Sequence, residues 1–243
     1  MITGKFKKLK DFVLDLIFPR ECLGCGRINT YLCRQCFNQI DLNNNFYCAL
    51  CKKPSPLAKI CANCQTTTPI RAIWVAANYN NKVLQDLIHY LKYNYIEAIS
   101  ADLARLMANY LKTGNILDQL QLKADNTILV PIPLHKKRFL QRGFNQSELL
   151  ANCLSSYFGF EQVNLIVREK NTQSQINLKR NERQENVKSA FSLVNNWVFD
   201  KNKKIILVDD VVTTGSTLNE CAKVLEKAGC LEIYGLVAAQ RED

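Results

Sequence analysis

Eight of the eleven cysteines fall between positions 22 and 64, in four C-x-x-C pairs: Cys22/Cys25, Cys33/Cys36, Cys48/Cys51 and Cys61/Cys64. A C-x-x-C turn sets two thiolates on one side of a tight loop. Two such turns close a tetrahedral four-sulfur site suited to zinc. Eight ligands supply two sites. Sequential pairing joins Cys22, Cys25, Cys33 and Cys36 on one ion and Cys48, Cys51, Cys61 and Cys64 on the other; an interleaved pairing fits the spacing equally well. A redox dithiol or an iron–sulfur cluster competes for the same ligands. A redox C-x-x-C, however, normally occurs once and starts a helix in an α/β unit. Here it occurs four times in a loop-rich stretch. A closed four-cysteine site keeps no position open for substrate, so its expected task is to replace a missing core.

The second chemical signal is IILVDDVVTTGST, residues 205–217. Four apolar residues read as a buried strand, and Asp209 and Asp210 stand at its carboxyl end. Thr213, Thr214, Gly215, Ser216 and Thr217 follow, where a helix begins. The carboxyl end of a parallel strand opens into the crevice where α/β folds bind ligands. Gly215 permits a sharp turn. The helix amino end and the hydroxyls offer donors to a phosphate. Carboxylates repel phosphate, so they must accept hydrogen bonds from another part of the same ligand, such as ribose hydroxyls. The pattern points to a sugar phosphate.

Cations form the third signal. Lys136, Lys137, Arg138 and Arg142 place four charges in seven residues, ahead of Gly143 and Asn145 in the turn before a helix. That density exceeds what solubility requires and points to phosphate groups, of a ligand or of DNA. His135 beside them reads as a hydrogen-bonding residue and His89 as structural. Lys52, Lys53 and Lys59 lie near Phe46 and Tyr47 in the cysteine segment, a mixture that suits single-stranded nucleic acid. A solvated loop on a protein-docking module reads the same way. The formal charge of +10 counts cysteines as neutral. Eight thiolates and two zinc ions bring the metal-loaded chain nearer +6, with all of the loss in residues 1–69. The unneutralised positive density then centres on residues 130–190.

The elements that position these groups follow from periodicity. RAIWVAANY, TILVPIP, QVNLIVRE, KSAFSLV, KKIILVDD and LEIYGLVAA read as strands. Residues 81–93 and 97–112, SELLANCLSSYF and STLNECAKVLEKAG read as helices. Buried strands alternating with helices predict a parallel α/β sheet. The 243 residues divide into 1–68, a helix followed by the cysteine module, and 69–243, the α/β domain. Residues 19–69 hold too little apolar material for a core of their own. Phe6, Leu9, Val13 and Leu16 recur at helical spacing with lysines opposite, which suits packing on the rest of the protein or contact with a membrane surface. No apolar run approaches the ~18 residues of a transmembrane helix, and no export signal is visible. The expected setting is the cytoplasm, where the thiols stay reduced or bind metal.

Residues 205–217 resemble the phosphoribosyl pyrophosphate signature of type I phosphoribosyltransferases. The resemblance implies that Asp209 and Asp210 hold the ribose 2′ and 3′ hydroxyls. It implies that Thr213 to Thr217 hold the 5′-phosphate, with Mg²⁺ carried mostly by the ligand's own oxygens. VPIPLHKKRFLQRGFNQSELLA (130–151) and REKNTQSQINLKRNERQENVKSAF (168–191), after a double zinc ribbon, resemble the ComF family, phosphoribosyltransferase-like proteins of bacterial DNA uptake in natural transformation. That resemblance implies a type I phosphoribosyltransferase-like sheet and single-stranded DNA as a partner. It also implies an inner-membrane translocation machinery or helicase as a docking partner. The loop near 169–187 corresponds to the mobile hood of the related fold, and its Lys170, Lys179, Arg180 and Arg183 suit a pyrophosphate. One departure is plain. Phosphoribosyltransferases acting on known bases tend to use small residues in the pyrophosphate turn, whereas Pro131-Ile132-Pro133-Leu134 is bulky. Retention of transferase turnover and the identity of an acceptor are left open by the sequence. The cysteine spacing predicts two zinc ions per chain; elemental analysis of the folded protein returning a value near zero overturns it.

Overall fold

The computed structural model describes residues 20–170, 187–194, 197, 200 and 202–241. The N-terminal amphipathic stretch and Lys179, Arg180 and Arg183 lie outside the described residues.

Five parallel strands form the central sheet, in the order β1-β7-β6-β2-β3. They are β1 (Ile70–Asn78), β2 (Thr127–Pro131), β3 (Glu161–Gln162), β6 (Lys204–Val212) and β7 (Glu232–Gln240). All five residues of β2 are buried, as are Ile205 to Val208 of β6. This is the continuous apolar reading expected of a parallel sheet covered on both faces. Helices α3 (Lys82–Tyr93), α4 (Ile99–Thr113) and α7 (Gln146–Phe158) pack with Trp74, Ile206, Val208 and Leu236 on one face. Helix α8 (Ser216–Lys227) packs with Ile73, Ile205, Leu207 and Ile233 on the other. Strand alternation thus divides the core into two layers.

The helix starts have local causes. Asn81 caps α3, accepting from Leu84 N–H at 3.1 Å, and Asn145 caps α7, accepting from Ser147 N–H at 3.1 Å. Gly215, with φ of 77°, turns the chain from β6 into α8.

Two expectations change in detail. QVNLIVRE, expected as one strand, is divided. Glu161–Gln162 pairs with β2, whereas β4 (Ile166–Arg168) leaves the sheet and pairs antiparallel with β5 (Phe191–Leu193). Leu165 N–H bonds back to Val163 O at 3.2 Å and turns the chain between them. The basic stretch expected as a turn is a short helix, α6 (Lys136–Arg142). His135 caps it, its Nδ1 accepting from Lys137 N–H at 3.2 Å, and Gly143 ends it with φ of 84°. His135 is therefore a hydrogen-bonding residue.

The cysteine segment, which includes the short helices α1 (Arg34–Asn38) and α2 (Ala62–Gln65), wraps the outer edge of β1. Asn43 N–H bonds to Ala76 O at 2.9 Å, and Ile60 N–H bonds to Arg71 O at 2.8 Å. Trp74 stacks on Tyr234, with ring centroids 5.0 Å apart, and its indole N–H donates to Leu57 O at 3.1 Å. The two halves of the segment reach opposite faces of the sheet. Leu32, Cys33, Cys36 and Ile40 join the α3–α4 layer; Cys48, Ala49 and Ile60 join the α8 layer. The segment borrows its core from the sheet, as its apolar content predicts. No helix among the described residues is long and apolar enough to cross a membrane.

Candidate functional site

Two sets of four thiols form, sequentially paired. Cys22, Cys25, Cys33 and Cys36 lie within 4.8 Å of one another, and so do Cys48, Cys51, Cys61 and Cys64. The Cys25–Cys33 and Cys51–Cys61 sulfur separations are 3.7 and 3.5 Å. A tetrahedral zinc with bonds of about 2.3 Å needs sulfurs ~3.8 Å apart. Burial raises the Cys22 thiol, but the N–H groups of Cys33, Gly24 and Cys25 outweigh it and bring the thiol down to about 6. The N–H of Cys64, and then the Cys51 thiol, bring Cys61 down to about 7. Burial and neighbouring thiols push Cys36 and Cys64 up to about 12. Each set thus ionises only in part by itself, and a dication supplies the charge that full ionisation requires.

The ligand crevice opens at the carboxyl end of β6. Asp210 continues the face of Ile206 and Val208 and is 2% exposed. Its carboxylate meets Lys92 of α3, with Nζ–Oδ2 at 2.9 Å. Asp209 Oδ1 accepts from Ser147 Oγ at 2.8 Å and from Asp210 N–H at 2.9 Å. Facing the pair across a space of about 150 Å³ are Arg138, Arg142 and Arg168, with Tyr93, Ile132, Pro133, Leu134 and Thr217. Burial, and then the charge of Arg142, pulls Arg138 below its ordinary value. Burial, and then the charge of Arg138, does the same to Arg168. Burial and mutual repulsion thus depress two of the three guanidinium groups, which favours an anionic ligand beside them. The turn leading out of β2 offers few backbone donors to an anion. Pro131 and Pro133 have no N–H, and Ile132 N–H is bonded to Val208 O at 2.9 Å.

The loop after β6 has two sides. Thr217 faces the arginine crevice. Thr214, Gly215 and Ser216 line a larger cavity, about 600 Å³, shared with Leu50, Cys51 and Cys64 of the second cysteine set. Thr214 Oγ1 and Ser216 Oγ are bonded at 2.6 Å.

Family models match two parts of the chain: a double zinc ribbon domain at residues 13–65 and a phosphoribosyl transferase domain at residues 145–242. Competence protein F of Haemophilus influenzae is 36% identical over 231 residues, spanning 91% of this chain and 98% of that one. The chain belongs to the ComF family. Within it, the DNA utilization protein YhgH of Escherichia coli is 32% identical over 189 residues, with 76% and 80% of the two chains covered. Competence protein ComFC of Bacillus subtilis is 28% identical over 211 residues, covering 82% and 79%.

In this ComF-family crevice, the expected residues do not all meet. Asp209, Asp210, Arg138, Arg142 and Thr217 line it. Lys136 and Lys137 point outward from α6 and are exposed. Lys170 is exposed, with Nζ donating to Lys188 O at 3.3 Å. Arg180 and Arg183 fall outside the described residues. Lys92, Ser147 and Arg168 escaped the sequence reading. Arg168 lies inside the REKN stretch and is braced over the Phe191 ring at 5.4 Å; a strand recognised as ending there would have exposed it. Lys92 reads as an ordinary lysine at the end of an amphipathic helix. In the second ribbon, Phe46 packs edge-on against Tyr110, with centroids 6.3 Å apart, and Lys52 sits 4.8 Å over the Tyr47 ring. Those aromatics serve packing.

Burial, and then the charge of Asp210, raises the Asp209 carboxyl to about 7; Lys92 and the Ser147 hydroxyl oppose the shift. A carboxyl raised above its unfolded value of about 4 binds more protons in the native state across that interval. Native stability therefore falls as pH rises from about 4 to about 7. Asp209→Asn is expected to flatten this slope and to raise the melting temperature at pH 8; melting curves across that range check it, and an unchanged slope refutes the assignment.

Proposed function

We propose that the crevice binds phosphoribosyl pyrophosphate with Mg²⁺ and that the protein handles DNA during its uptake. The observation that carries the ligand reading is that one buried and one half-buried carboxylate share a crevice with three guanidinium groups. Asp209 and Asp210 accept hydrogen bonds from the ribose hydroxyls. The 5′-phosphate is assigned to the Thr213–Thr217 loop at the start of α8, which Thr217 joins to the crevice while Thr214 to Ser216 line the neighbouring cavity. Arg138, Arg142 and Arg168 neutralise the pyrophosphate that the proline-rich turn cannot bind through N–H groups. Among the described residues, the only clusters of three or more metal-ligating side chains are the two cysteine sets. Asp209 and Asp210 would hold the ribose of a ligand that brings its own Mg²⁺, and the ion would supply screening of the phosphate charges.

Transfer of the phosphoribosyl group would need positioning and charge neutralisation in this crevice, with no side-chain nucleophile. The crevice supplies both, so pyrophosphate release with base or nucleoside acceptors is the direct assay for turnover.

The DNA reading rests on the names of relatives, a competence protein and a DNA utilization protein, and on α6. That helix turns Arg138 and Arg142 into the crevice and leaves Lys136 and Lys137 in solvent, beside Phe139 at 42% and Leu140 at 73% exposure. Cations beside an exposed aromatic ring, that of Phe139, suit the backbone and bases of a single strand.

Phosphoribosyl pyrophosphate with Mg²⁺ is expected to raise the melting temperature by several degrees. A shift surviving in Asp209→Ala combined with Asp210→Ala refutes the ligand assignment. Single-stranded DNA affinity is expected to fall steeply with salt, and losing Lys136 and Lys137 should reduce the log–log slope by ~0.7 per phosphate contact. Affinity that does not change between low and moderate salt sinks the nucleic-acid reading.

A further inference from the structure

Gln240 ends β7, opposite Val212 of β6 and Asn78 of β1, and is 5% exposed. Its amide spans two parts of the molecule that have separate chemistry. Nε2 donates to Ala49 O at 3.2 Å and to Thr213 O at 3.4 Å. Oε1 accepts from Tyr47 O–H at 3.4 Å and from Lys52 Nζ. Ala49 lies between the ligands Cys48 and Cys51, and Lys52 follows them. The turn closes through Lys52 N–H on Cys48 O at 2.8 Å, with Lys52 at φ of 64°. Thr213 opens the loop assigned to the 5′-phosphate. Leu50, in the same turn, packs against Gly215: a Cβ there would lie 3.3 Å from Leu50 Cδ2. One buried amide and one leucine therefore seat the phosphate loop on the second cysteine turn. The first cysteine set joins the core layer on the opposite face of the sheet.

We propose that Gln240 is a positioning residue that ties the phosphate loop to the second metal site, so that metal occupancy there and anion affinity at the loop are linked. A metal fixes the Cys48–Cys51 turn, and the turn fixes where Ala49 O, Lys52 Nζ and Leu50 meet Gln240 and Gly215. The amide passes that position to Thr213 at the root of the loop. Without the metal the turn loses its constraint and the loop its seat. Linkage of this kind is reciprocal: a ligand on the loop also tightens metal binding. The inference rests on the sugar-phosphate reading of the loop but concerns a residue outside the crevice.

The test is a double-mutant cycle. Gln240→Met keeps the volume and removes the hydrogen bonds. Cys51→Ser removes one ligand of the second site, and zinc content is measured for every protein. Affinity for Mg²⁺-phosphoribosyl pyrophosphate is read by calorimetry. Gln240→Met is expected to retain two zinc ions and bind roughly tenfold more weakly, the scale of one or two lost hydrogen bonds. Cys51→Ser should weaken binding similarly in the native background but by less than about twofold in the Gln240→Met background. Gln240→Met binding as tightly as the native chain, or equal losses for Cys51→Ser in both backgrounds, overturns the proposal. Hydrogen exchange at residues 214–217 gives a readout that needs no ligand. Faster exchange in both single variants upholds the linkage, and unchanged exchange overturns it. If the native chain binds no phosphoribosyl pyrophosphate, the sugar-phosphate reading fails, and exchange alone judges the tie. If Gln240→Met does not fold, exchange in Cys51→Ser against the native chain decides.

Discussion

Asp209 and Asp210 stand near the carboxyl end of β6, after four residues that see no solvent, and charge cannot stand in such a place uncompensated. Each neighbouring element answers that demand in its own way. Helix α3 supplies Lys92 to Asp210, and helix α7 supplies the Ser147 hydroxyl to Asp209. Burial pulls the Lys92 ammonium down, but the charges of Asp210 and Asp209 outweigh it and leave it raised. The compensation is partial, since Asp209 still holds its proton to about 7. Arg138 and Arg168 opposite have the complementary problem: both are depressed by burial and by a neighbouring cation. Beyond the Lys92–Asp210 pair, the carboxylates and the guanidinium groups line one open space, able to receive a ligand polar to both.

The cysteine module solves a different problem. It has too few apolar residues to fold alone, and β1 has an outer edge that would attract other strands. Wrapping the module around that edge settles both. Segments at Asn43 and Ile60 take the edge hydrogen bonds, and Leu32, Ile40 and Ala49 join layers the sheet already builds. The metal sites fix the backbone where packing cannot. In consequence the second cysteine turn lies against the loop that follows β6.

Much of this was legible in the sequence, for identifiable reasons. Local spacing carries cysteine ligation, so the eight ligands could be named, and the pairing needed only proximity to settle it. The stretch from Ile205 to Thr217 is contiguous, so strand, carboxylates and turn could be read together. What stayed hidden was assembled across the chain. Lys92 and Asp210 are more than a hundred residues apart, and nothing local marks that lysine. The inward arginines Arg138 and Arg142 could be separated from outward Lys136 and Lys137 only once the stretch was seen as a helix. Its cap, His135, is an unusual residue for that position. The division of QVNLIVRE turned on a single backward hydrogen bond that apolar periodicity does not register.

The sheet order places the first strand beside the last: residues 70–78 pair with 232–240. A ribosome releases β1 long before β7 exists, so through most of synthesis one side of β1 has no strand partner. The other side is guarded early, because the segments that bond it precede it closely in the chain. Early closure of that edge leaves β1 with one open side to wait for its distant partner. Residues 232–240 then bring Gln240, so the loop after β6 gains its amide contact only once that strand has been made.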